Sequence, residues 1–188
     1  VTRQTNTTIN IPNILTLVRI LLTPLFIILI LKKLFVMALF VFAIAGISDA
    51  LDGFIARCFN QRTVLGAHLD PLADKLLLLS SYISLAVLKV IPAWLAVIVI
   101  ARDVIIILGI AVLTITHKPY EVKPSSVSKC TTAVQLATIF FALLEPDISH
   151  GDVYQTIMYW ATAVLTIISG LHYIYIGMNQ LQATNQSA

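Results

Sequence analysis

Charge is scarce in this chain. Only 11% of its 188 residues are charged, and only nine are acidic. So little charge leaves too few groups to solvate the outer faces of a large helical core, which argues against a soluble all-α protein. The net charge of +3 is modest, and no basic patch is interleaved with aromatics, so a nucleic-acid partner is not expected. Cysteine is also sparse. Cys58 and Cys130 follow basic residues near expected helix ends, lack metal-ligand spacing, and read as free thiols in a reducing setting. No cleavable signal peptide is expected, because Pro12 and Arg19 interrupt the N-terminal region and no small-residue cleavage pattern follows a short apolar core.

Apolar length takes the place of charge. The chain is 59% hydrophobic with a mean hydropathy of +0.93, which predicts an all-α, polytopic membrane protein. At about 20 residues per span there is room for roughly six transmembrane helices and no separate soluble domain. The spans are expected at residues 13–31, 34–57, 71–89, 93–116, 129–144 and 153–178. A polar or interfacial segment (1–12) would precede a single six-helix domain (13–180), and a tail (181–188) would follow it. Asn13 is expected to cap the first helix, Pro24 to kink it, and Asp70 to cap the third ahead of Pro71. Trp94, Tyr159 and Trp160 read as interfacial anchors. An even number of spans puts both termini on one side. Arg57, Arg62, Lys118, Lys123 and Lys129 fall on that same side, which the positive-inside rule makes cytoplasmic.

Against this background, four of the nine acids stand together as Asp49, Asp52, Asp70 and Asp74. A carboxylate in hydrocarbon costs about 2.5–3.5 kcal/mol even on a lenient insertion scale, so the cluster calls for compensation. Divalent metal is the natural source. Asp49 and Asp52 share a helix stripe with Gly53 and Ala56, whose small side chains let a bulky ligand approach the backbone. Gly66, Asp70 and Asp74 are spaced by four, so the second pair of carboxylates also shares a face. Bringing the two helix ends together would converge four oxygen ligands suited to Mg²⁺ or Mn²⁺. Two metals beside Arg57 would clamp a diphosphate, and a carboxylate not fully used as a ligand would accept a hydroxyl proton. A cation pathway, as in a divalent-cation transporter, is the alternative for these residues. The bland reading is a salt-bridge cluster with Arg19, Arg57, Lys75 and Arg102. The second half carries no matching acidic cluster, which argues against an inverted-repeat transporter.

The run Asp49-x-x-Asp52-Gly53-x-x-Ala56-Arg57, then Gly66, Asp70 and Asp74 at fixed spacing, resembles the complete signature of the CDP-alcohol phosphatidyltransferase family. The segment from Ile11 to Arg19 and the segment Asp70-Pro71-Leu-Ala-Asp74-Lys75 are similar to its phosphatidylglycerophosphate synthase and cardiolipin synthase branch. The resemblance implies a six-helix, often homodimeric membrane enzyme that transfers phosphatidyl from CDP-diacylglycerol to an alcohol and releases CMP. It implies that Asp49, Asp52, Asp70 and Asp74 bind a two-metal centre, with Asp74 the base on the acceptor hydroxyl. Gly53, Ala56, Arg57, Gly66, Asn13 and Thr16, together with Asp49, Asp52 and Asp70, would bind the CDP donor. Arg19, Arg102 and Lys129 would serve the acceptor. Glycerophosphate-using relatives carry more cations than Arg102-Asp103 and Lys129 provide, with Thr131 standing where a second Lys is expected. Phosphatidylglycerol is therefore the expected acceptor and glycerol 3-phosphate the alternative. A bacterial inner membrane or a mitochondrial-type inner membrane is the expected location, with the site facing the cytoplasmic side.

Overall fold

An apolar chain of this kind must meet its backbone hydrogen bonds internally, and helices do so within each segment. The computed structural model describes residues 11–58, 64–115, 126–144 and 153–185, with side chains described over 16–48, 73–109, 127–144 and 153–178. Among the described residues there are six helices and no strand: α1 (Ile11–Leu31), α2 (Phe35–Cys58), α3 (Val64–Val87), α4 (Ala93–Ile115), α5 (Ser126–Leu144) and α6 (Val153–Asn185). They fall into two compact units, Val1–Leu88 and Lys89–Ala188.

Several expected boundaries move, α5 beginning at Ser126 rather than 129 and α3 ending at Val87 rather than 89. Asn13 lies in the first turn of α1 rather than at its cap, since the helix already starts at Ile11. Asp70 is not the cap of α3, which begins at Val64 and carries Asp70-Pro71 inside it. Proline at that point gives up one backbone hydrogen bond, and the unbroken run Val64 to Leu69 holds the helix on its N-terminal side. The expected C-terminal tail is helical as far as Asn185.

In the first unit α1 packs against both α2 and α3. Its buried residues are Thr16, Arg19, Thr23, Phe26 and Ile30, a three-and-four spacing that makes one stripe. Phe26 meets Phe42 of α2 with ring centroids 5.8 Å apart, and Ala38 and Ala45 leave α2 slim beside it. Lys33, at φ 57°, ends α1 in a Schellman motif. Its N–H donates to the Ile30 carbonyl at 2.7 Å, and the Leu34 N–H donates to that of Leu29 at 2.9 Å.

In the second unit α6 packs against α4 and α5. A polar seam joins α5 to α6. Thr138 and Thr162 share a hydrogen bond of 2.7 Å, Gln135 Nε2 donates to Thr166 Oγ1 at 3.0 Å, and Thr131 Oγ1 donates to the Leu165 carbonyl at 3.2 Å. The hydroxyls of Thr131, Thr138, Thr162 and Thr166 also lie 2.6–2.9 Å from the carbonyl four residues back. Each has one proton, so Thr131 shares its own between two carbonyls, and of Thr138 and Thr162 one donates across the seam while the other donates within its helix. Removing the hydroxyl pair tests the seam. Thr138→Val and Thr162→Val are each expected to lower unfolding stability in bicelles by about 0.5–1.5 kcal/mol. The double-mutant cycle should give a coupling near 0.6 kcal/mol, the usual size for an interhelical bond in a membrane. Full additivity of the two single changes would mean that the two hydroxyls do not act as a pair.

The outer faces are as apolar as the interior. Buried Phe26, Leu85, Leu95 and Ile139 share the inside with Thr, Ser, Gln, Arg102 and Asp103, while Leu17, Leu21, Phe40, Ile47, Leu108 and Leu171 point outward. Apolar surface of this extent needs an apolar surrounding. Two helical stretches, Val127–Leu144 and Val153–Met178, are long and apolar enough to cross a membrane, with shorter apolar stretches at Thr16–Leu31 and Phe35–Ser48 among the described residues. Of the expected interfacial aromatics, Trp94 and Trp160 are exposed and stack at 5.3 Å. Tyr159 is instead buried, and its hydroxyl donates to the Val90 carbonyl at 3.3 Å.

Candidate active site

The first unit carries the acidic motif on two helices that both belong to its core architecture. Asp49, Asp52, Gly53, Ala56 and Arg57 occupy the last turns of α2, and Gly66, Asp70 and Asp74 the first turns of α3. The side chains of the motif residues up to Asp70, and that of Asn13, lie outside the described residues. Asp74 is described. Its Oδ1 accepts from Nη1 of Arg19 on α1, an ion pair between residues 55 positions apart. The arginine side chain is 1% exposed and the aspartate side chain 45%. Thr16, one turn before Arg19, is fully buried, and Thr23, one turn after it, donates its hydroxyl to the Arg19 carbonyl at 3.0 Å.

Arg19 was expected among the acceptor ligands; the fold brings it to Asp74. The salt-bridge reading of the acidic cluster names Arg19 among its cations; which of the four aspartates it meets depends on how α1 packs on α3. The donor set of the motif is all carboxylate oxygen, which fits a hard divalent cation better than zinc or copper. Asp74, half exposed, has the accessibility that a ligand or a base requires.

In the second unit Arg102 is buried on α4. Its Nη1 donates to Asp103 Oδ1 at 2.7 Å, Nη2 donates to Ser128 Oγ on α5 at 2.6 Å, and Nε and Nη2 reach Ser169 Oγ on α6 at 3.3 and 3.0 Å. The guanidinium carbon also lies 5.9 Å from the centre of the Tyr173 ring. A single cation thus ties three helices together. Gly170 lies against the arginine stem, where a Cβ would sit 3.6 Å from Arg102 Cγ, an ordinary contact. Lys129, next to Ser128, is exposed at the start of α5. Beside Arg102 a cavity of about 210 Å³ opens between α4 and α6, walled by Ile98, Ile105, Ile167, Leu171 and Ile174. Its walls are almost wholly apolar. Ser169 was not expected in this role, yet it shares a three-and-four spacing with Thr162 and Thr166, a polar stripe within an apolar span that was there to be read.

Comparison with known proteins places these features in a family. The sequence pattern that describes CDP-alcohol phosphatidyltransferase matches residues 9–168. The chain is 39% identical to cardiolipin synthase (CMP-forming) of Rattus norvegicus and 38% identical to that of Homo sapiens, in each case over 92% of this chain and 63% of the relative. It therefore spans under two thirds of the length of those two proteins. It is also 33% identical to a probable phosphatidylglycerophosphate synthase of Mycobacterium tuberculosis, over 95% of this chain and 87% of that protein.

Proposed function

Since the chain belongs to the CDP-alcohol phosphatidyltransferase family, we propose that it is an integral-membrane phospholipid synthase. It transfers the phosphatidyl group of CDP-diacylglycerol to a glycerol-based alcohol and releases CMP. The observation that carries this reading is the full carboxylate motif on α2 and α3, with Asp74 accessible and paired to a buried arginine. The acceptor's hydroxyl oxygen attacks the phosphatidyl phosphorus, the bond from that phosphorus to the CMP oxygen breaks, and Asp74 takes the hydroxyl proton. Asp49, Asp52, Asp70 and Asp74 would hold Mg²⁺ or Mn²⁺, which when bound would polarise the phosphoryl oxygens and offset charge on the departing CMP. Gly53, Ala56 and Gly66 let the diphosphate approach helix backbone, Arg57 meets its charge, and Asn13 and Thr16 complete the donor site.

Phosphatidylglycerol is the acceptor we favour, making the product cardiolipin. The names of the rat and human relatives support this. So does the apolar cavity beside Arg102, which suits an acceptor that brings acyl chains with it. Arg102 and Lys129 serve the acceptor phosphate. Glycerol 3-phosphate is the second reading, supported by the name of the mycobacterial relative. All six helices span the membrane, the protein works as a homodimer, and the motif faces the cytoplasmic side of a bacterial or mitochondrial-type inner membrane.

Purified protein supplied with CDP-diacylglycerol and Mg²⁺ is expected to release CMP and, with phosphatidylglycerol present, to form cardiolipin detectable by lipid mass spectrometry. Phosphatidylglycerophosphate alone, appearing when glycerol 3-phosphate is supplied, would reassign the acceptor. Absence of CMP with every glycerol-based acceptor would remove the enzyme and leave the divalent-cation carrier.

A further inference from the structure

A guanidinium keeps its charge in almost any surrounding, so its burial calls for an anion. For Arg19, among the described residues, that anion is Asp74, and the two ends of the pair are treated differently by the fold. Arg19 is sunk in the α1 stripe at 1% exposure, its backbone carbonyl bonded by Thr23, while the Asp74 side chain stays 45% exposed. The arginine is thus a fixed point and the carboxylate is presented from it. We infer that Arg19 is a positioning residue for Asp74. By holding Oδ1 from inside the helix packing it sets the direction of the carboxylate toward the acceptor hydroxyl, and it does not itself bind the acceptor. This rests on the proposed phosphatidyl transfer with Asp74 as base.

Proton transfer needs the base within about 2.6–3.2 Å of the hydroxyl, and a misplacement near 1 Å costs on the order of a hundredfold in rate. Lysine at position 19 keeps the charge but is a point donor without the planar fork. Arg19→Lys is therefore expected to lower kcat by about 10- to 100-fold, with KM for the acceptor and for CDP-diacylglycerol within about threefold of wild type. Arg19→Gln should lose more, so that Lys counts as a partial rescue. Binding of CDP-diacylglycerol, read by calorimetry in detergent micelles, should be unchanged in both.

A rise in acceptor KM at unchanged kcat would make Arg19 an acceptor ligand and overturn the inference. Wild-type turnover in a folded Arg19→Gln protein would overturn it too. If neither variant folds, Arg19 belongs to stability alone and the inference falls. Failure of the proposed function itself would show differently, as a wild-type protein that releases no CMP.

Discussion

Replacing Asp74 by Asn is expected to abolish measurable phosphatidyl transfer while CDP-diacylglycerol still binds. A positioned base contributes about 10²–10⁴ in rate, and asparagine offers no basic oxygen at working pH. The substitution is close to isosteric, so the amide oxygen can still accept from Arg19. The pair does lose its charge complement. Arg19, 1% exposed, is left without its carboxylate, so the substitution costs up to about 3–5 kcal/mol, less what the retained amide–guanidinium hydrogen bond offsets. A melting curve beside the CMP assay separates the two effects: a lowered Tm in a protein that still folds, with a loss of turnover above a hundredfold at temperatures well below that Tm, is the expected combination. Turnover within tenfold of wild type would remove Asp74 from the base role.

The second large effect lies in the other unit. Asp103→Leu is expected to destabilise the protein by about 3–5 kcal/mol, because Arg102 keeps its charge in a buried place after its carboxylate is gone. The two residues are neighbours in sequence, about 100° apart around the helix, and both side chains are below 10% exposure. Ser128 and Ser169 would still accept from the guanidinium, but neutral hydroxyls do not offset a charge. The double change Arg102→Met with Asp103→Leu should recover most of the stability, since an apolar pair of similar volume has no desolvation to overcome. Its activity should stay low if Arg102 serves the acceptor. Denaturant titration in micelles reads the first result and the CMP assay the second. A double variant no more stable than Asp103→Leu alone would mean that the ion pair is not what the single change disrupts.

Much of this molecule is legible in its sequence, and the reasons differ by feature. The helices are long apolar runs, and their number, with most of their boundaries, follows from length and from the positions of Lys32, Pro92 and the acidic linker before α6. The start of α3 was not legible. Asp70-Pro71 reads as a cap and first helical residue, and nothing in the local chemistry tells that the helix has begun at Val64. The acidic motif is legible because fixed spacing on helices is local information. That Arg19 could pair with the cluster is legible too, but that Asp74 is the partner is not, because it depends on which helices pack. The polar seam of α5 and α6 falls between these cases. Thr131, Gln135 and Thr138 mark one face at three-and-four spacing, but only packing shows that Thr162 and Thr166 answer them.

The turn that ends α1 reaches beyond the folded state. Only Lys32, Lys33 and Leu34 separate α1 from α2, and three residues extend about 10 Å at most, against a hydrocarbon layer of about 30 Å. In the proposed topology the two helices cannot be threaded one after the other; they enter the bilayer as a hairpin. Arg19 then arrives with α2 beside it but ahead of the aspartate that will hold its charge, which comes later on α3. On that topology the first unit is complete only once α3 has joined the hairpin.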